Sequence, residues 1–128
     1  MKTDILKIKK LESIDDVYKE TSIYLQKKQI ITDASKLFED LKLREQLGIV
    51  KIYEDFYLPH LITDNALENI VLRVDGFNEK VLFILLKENH EKDKEKAFRL
   101  VGKLLDSMFV EEMFKANKKD LEIMIENI

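Results

Sequence analysis

Cysteine is absent from this 128-residue chain. Disulfides, thiolate-ligated zinc and thiol nucleophiles are therefore excluded, and a reducing cytoplasm is the compartment that fits. Proline occurs once, at Pro59. Glycine occurs at positions 48, 76 and 102 only, too scattered to build a Gly-rich phosphate loop. The two histidines, His60 and His90, lie thirty residues apart and form no H-x-x-x-H metal pair. A zinc site would have to recruit two carboxylates as well. No metal or organic cofactor is expected. No apolar run approaches the roughly 18 residues of a membrane span. The start, "MKTDILKIKKLES", alternates charge with single apolar residues and is not read as a signal peptide. Charge of one sign is lacking too. Lys and Arg number 22 against 25 Asp and Glu, for a net charge of −3, so there is no basic stripe to meet nucleic acid.

What is present suits one folded unit. Apolar residues make up 45% of the chain, enough for one core, and the length is too short for two ordinary domains. A single domain over 1–128 is expected. Charged residues make up 37%, with both signs interleaved, and read mostly as solvated surface. Ile5, Leu6 and Ile8 suggest an edge strand. Ser13 begins a helix with Asp15 and Asp16 in its first turn, and Ile14, Val17, Tyr18, Thr21, Tyr24 and Leu25 form its apolar face. Thr32 or Asp33 caps a second helix. Its face is Leu37, Phe38 and Leu41, with Leu43 or Leu47, and Gly48 ends it as a left-handed C-cap.

The single proline disfavours helix through Leu58. "GIVKIYEDFYLPHL" therefore reads as strand, turn and an extended segment carrying His60. "NIVLRV" and "VLFILL" are the clearest strands, joined by the turn "DGFNE". The six apolar residues Val81 to Leu86 predict a central strand covered on both faces. Phe98, Val101, Leu104, Leu105 and Met108 recur at helical spacing, and two shorter helices follow around Val110, Met113 and Phe114, then Leu121, Met124, Ile125 and Ile128. The fold class is α/β, with a mixed sheet flanked by helices.

His60 is the candidate for chemistry. A neutral imidazole nitrogen can attack phosphorus without first losing a proton. It needs its other nitrogen hydrogen-bonded, a cation for the phosphoryl oxygens, and an opening for a donor. Pro59 fixes the backbone beside it. A lone histidine between hydrophobic residues is also, and more often, a structural one, and residue type alone leaves both readings open.

The segment from Arg44 to His60 resembles the phosphorylation motif of the fructose/mannitol-type EIIA domain of the bacterial phosphoenolpyruvate:sugar phosphotransferase system. That motif reads R-E-x-x-G-S-T-G-I-G-x-G-I-A-I-P-H. Arg44, Glu45, Gly48, Ile52, Leu58, Pro59 and His60 fall in register without a gap. "KKQIITDASKLFEDLKLRE", "VLFILLKEN" and "LLDSMFVEEMFKANKKDLEIMIENI" are similar to the family's preceding turn and helix, its central strand and its C-terminal helices. The resemblance implies a single-domain α/β sandwich and a phosphate relay in sugar transport. An HPr-like phosphocarrier protein would phosphorylate His60, and the phosphoryl group would pass to an EIIB domain. Alternatively, the phosphorylation state would act on a sugar-responsive transcription regulator. Arg44 would steady the phosphoryl group, as its planar fork of donors suits. The same residue also reads as a solvated cation at a helix end.

The chain departs from the motif between these two residues. Ile49 and Val50 stand for Ser-Thr, Lys51, Tyr53 and Asp55 for glycines, Tyr57 for alanine, and Leu61 for the glycine common after the histidine. Many members carry a second histidine at the start of the following helix, where this chain has Asp93, Lys94 and Ala97. His90 lies just upstream, as a solvated loop residue or as an accessory group if that loop folds inward.

Overall fold

Six consecutive apolar residues need cover on two faces, and the chain supplies it. The computed structural model describes residues 1–48, 50–88 and 91–128. Strands β1 (Lys2–Lys7), β2 (Lys51–Tyr53), β3 (Phe56–Tyr57), β4 (His60–Ile62), β5 (Ile70–Asp75) and β6 (Lys80–Leu86) form one mixed sheet. The order is β1-β5-β6-β3-β2, and β4 also pairs with β6. β1 runs parallel to β5 at one edge, β5 is antiparallel to β6, and β3 and β4 are both parallel to β6. β6 is thus the central strand.

Its alternate side chains enter two cores. Val81, Phe83 and Leu85 pack with Val17, Tyr18 and Leu25 of α1 (Ile14–Lys27) and Leu37 and Leu41 of α2 (Ala34–Leu47). Leu82, Ile84 and Leu86 pack with Ala97 and Leu100 of α3 (Glu91–Lys103), Val110 and Met113 of α4 (Ser107–Lys115), and Leu121 and Ile125 of α5 (Lys118–Glu126). The period of two in the strand and the 3–4 spacing in the helices make this two-sided burial possible.

The caps follow the sequence. Ser13 accepts from the Asp16 amide at 3.1 Å, and Asp33 accepts from the Lys36 amide at 3.2 Å. The expected left-handed C-cap at Gly48 is not formed. Its φ is 176°, extended backbone open to any residue. Gly76 is where glycine is required: φ is 116°, and an added Cβ would fall 1.6 Å from the Ile8 carbonyl oxygen.

Two apolar faces differ from expectation. Leu43 and Leu47 are exposed, so α2 buries only Leu37 and Leu41 fully. The expected run Phe98, Val101, Leu104, Leu105, Met108 is not one buried stripe. α3 stops at Lys103, and Asp106 caps α4 by accepting from the Met108 amide at 2.9 Å. That break turns Leu105 and Met108 outward, and the buried stripe becomes Ala97, Leu100 and Leu104.

β5 carries one buried cation. Arg73 donates from Nη1 to the Met113 and Ala116 carbonyls at 2.6 and 2.8 Å. Its Nε and Nη2 meet Asp75 at 3.0 Å each. The guanidinium thereby ties the sheet to the C-terminal end of α4, satisfying carbonyls that a helix end leaves open.

Candidate functional site

His60 opens β4, directly after the only proline. Pro59 is buried and offers no N–H, but its carbonyl accepts from the Ile84 amide at 3.0 Å. This bond and the pairing of His60 with Ile84 hold the histidine at a fixed height beside the central strand. Its ring is half-buried.

Two contacts define the ring. Nδ1 lies 3.0 Å from the Leu58 carbonyl oxygen. A carbonyl can only accept, so Nδ1 carries the proton and donates it there. Nε2 is then the nitrogen with the lone pair. It lies 3.5 Å from Nη2 of Arg44, which can only donate. At that distance the Arg44 contact is at the outer limit of a hydrogen bond and readily exchanged. The two residues singled out from sequence, sixteen positions apart, are therefore neighbours in space.

Arg44 lies in the last turn of α2, where a cation suits the helix dipole. Among the described residues, no carboxylate lies within 4.0 Å of its guanidinium. The adjacent Glu45 is held elsewhere: it accepts from the Tyr18 hydroxyl at 3.2 Å and pairs with Lys42 at 3.3 Å. Lys42 also meets Asp15 of α1 at 2.6 Å. Burial first, and then Glu45, drives the Tyr18 hydroxyl far above its ordinary pKa, so it remains a donor. Gly48 leaves the guanidinium its space, since a Cβ there would sit 3.2 Å from Arg44 Nη1.

The altered motif positions have structural work of their own. Lys51 and Tyr53 form β2, paired antiparallel with β3. Lys51 is ion-paired to Glu79 at 2.8 Å and lies over the Tyr57 ring, 5.0 Å from its centroid. The Tyr53 hydroxyl donates to the Leu104 carbonyl at 3.1 Å, and its ring stacks with Phe56. A short hairpin anchored to the helical layer thus stands where the motif has glycines.

A groove of about 400 Å³ opens beside His60. One wall is β4 and β6, through His60, Leu61, Ile62, Ile84 and Leu86. The other is one face of α3, through Lys94, Ala97, Phe98 and Val101. Its mouth is apolar: Phe98 is 81% exposed and Ile62 54%. In the sequence, Phe98 belongs to an apolar run at helical spacing, and Lys94 stands where many EIIA members have a second histidine. Both face the groove. The signal was available, because 94, 97, 98 and 101 recur at i, i+3, i+4 and i+7. His90 lies outside the described residues. Among the described residues no cluster of three or more His, Asp or Glu could hold a metal ion. None of the described helices is long and apolar enough to cross a membrane.

The arrangement provides an unprotonated imidazole nitrogen, a cation that has no carboxylate partner among the described residues, and an apolar opening. No protein-family model and no curated protein matches the chain. Among solved structures, it is similar to the nitrogen regulatory protein IIA-Ntr of Neisseria meningitidis. The two share 17% identity with a TM-score of 0.69, over 95% of this chain and 91% of that one. The α/β architecture, with its mixed sheet and flanking helices, is thus an EIIA-type fold. The fructose/mannitol branch suggested by the motif is not distinguished at this identity.

Proposed function

We propose that this chain is a phosphohistidine carrier of a phosphotransferase system. His60 takes a phosphoryl group from an HPr-like phosphocarrier protein and yields it to an EIIB domain. The observation that carries this reading is the ring geometry. Nδ1 donates to the Leu58 carbonyl at 3.0 Å, and Nε2 faces Arg44 at 3.5 Å.

In the transfer, the Nε2 lone pair forms the new N–P bond as the donor's N–P bond breaks. The bonding pair leaves with the donor imidazole. The Nδ1 proton stays on the ring, where the Leu58 carbonyl accepts it and supports the positive charge that develops. Arg44 exchanges its long contact with Nε2 for charge-assisted bonds to the phosphoryl oxygens. No metal or organic cofactor takes part. The acceptor and donor are proteins, the setting is the cytoplasm, and neither nucleic acid contact nor membrane insertion enters the scheme.

The test is incubation with phosphoenolpyruvate, the general phosphotransferase enzyme and HPr. Wild type should gain one acid-labile phosphate and His60→Ala none. Absence of label on the wild-type protein sinks the proposal. A second reading follows from the similar structure, whose name is that of a nitrogen regulatory protein. In it, the phosphorylation state of His60 governs binding to a transcription regulator, with little onward transfer. Label on His60 that no EIIB domain removes favours this reading over the relay.

A further inference from the structure

Arg44 addresses Nε2 from the end of α2, but the groove beside the ring offers little else to an anion. Besides His60, its walls are hydrocarbon apart from one residue, Lys94. The Lys94 side chain is 31% exposed. Among the described residues that line the groove, it is the one with a fixed charge. Apolar walls exclude water and strengthen the field of such a charge.

Among the described residues Lys94 has one competing partner. Glu91 lies 3.5 Å away in the preceding turn, and its side chain is 83% exposed. An ion pair of that kind is weak and easily exchanged. The adjacent Asp93 is held elsewhere. It accepts from Asn69 Nδ2 at 2.6 Å and lies 3.9 Å from the chain's amino terminus.

We infer that Lys94 is the second cation of the His60 site, meeting from the groove side the non-bridging oxygens of a phosphoryl group on Nε2. This rests on the phosphohistidine reading. A phosphoryl group carries between one and two negative charges and three acceptor oxygens, more than one guanidinium satisfies. Arg44 supplies the fixed planar fork, and Lys94 a mobile point charge on a four-carbon stem. Lys94 leaves Glu91 to solvent and follows the phosphoryl group.

The experiment uses phosphoramidate as a small-molecule donor, so that no protein docking contributes. The Nε2 lone pair forms the N–P bond while phosphoramidate's own P–N bond breaks. Ammonia leaves with that bond's electron pair and the proton phosphoramidate already carries on nitrogen. Phosphorylation rates are compared for wild type, His60→Ala, Lys94→Gln and Lys94→Arg, with thermal unfolding of each as control.

Lys94→Gln should slow phosphorylation about tenfold at low salt, less than an enclosed oxyanion donor because the ammonium is partly solvated. Lys94→Arg should restore the rate to within about threefold, and added salt should narrow the gap. Equal rates for wild type and Lys94→Gln overturn the role of Lys94 and leave the proposed function standing. Equal slowing in Lys94→Gln and Lys94→Arg also overturns it, since packing and not charge would then be the cause. Failure of wild type to be labelled on His60 removes the phosphohistidine reading, and this inference with it.

Discussion

Replacing Arg44 by Gln tests the site most directly, because it removes the charge and keeps most of the side-chain length. The guanidinium lies 3.5 Å from the nitrogen that would carry phosphate. Two unit charges about 4 Å apart interact by ~1 kcal/mol in water and ~4 kcal/mol near a protein surface. Arg44 is half-buried, between these limits. The loss in the transition state should be about 2 kcal/mol, or ~30-fold in rate. The assay is the initial rate of phosphate incorporation from saturating phospho-HPr in rapid-quench experiments. Arg44→Lys should recover part of the loss, since it restores charge without the fork. Stability should change by less than ~0.5 kcal/mol, because among the described residues Arg44 makes no ion pair. A folded Arg44→Gln protein with a rate within twofold of wild type would refute the clamp. So would a rate loss that followed a fall in unfolding midpoint.

Gly48→Ala should leave stability within ~0.5 kcal/mol, because the backbone there is extended. It should slow phosphorylation about threefold by displacing the guanidinium, and have no further effect in an Arg44→Gln background, a double-mutant cycle that separates crowding from other causes. Arg73→Met should cost about 3–5 kcal/mol in urea unfolding, since it strands Asp75 and two carbonyls that Arg73 now satisfies. Stability should also fall in alkali. Burial and then the hydrogen bond to Asp4 push the Tyr24 hydroxyl up to about 12. Its folded pKa thus exceeds its unfolded value, so its contribution is complete below pH ~10 and lost as pH rises through the folded value. Tyr24→Phe should flatten part of that decline in urea midpoints between pH 9 and 12, while Tyr18, shifted the same way, keeps the remainder.

Local rules made much of this molecule legible. Ser13 and Asp33 cap helices because a short polar side chain can reach an open amide from residues adjacent in sequence. Val81 to Leu86 announce a strand buried on both faces because six apolar residues in a row leave no polar side for water. The resemblance to the EIIA motif sets Arg44 beside His60, and the chain between them is folded so that they meet. Gly76 reads as a turn glycine and is one.

The rest depended on where elements sit against each other. Phe98 and Ala97 are neighbours in sequence, yet one is exposed and the other buried. The break after Lys103 and the docking of α3 on β6 decide between them. Arg73 sits inside a hydrophobic strand, and only the nearby end of α4 makes its charge tolerable there. The proton on His60 Nδ1 is fixed by the carbonyl two residues earlier, and the partner of Nε2 comes from another element. Lys94 was a charge among many until α3 was laid beside β4. Sequence determined which residues form helices and strands, and which arginine and histidine to compare. Tertiary packing alone decided which side chains share the groove, because helical periodicity defines a face but not what that face meets.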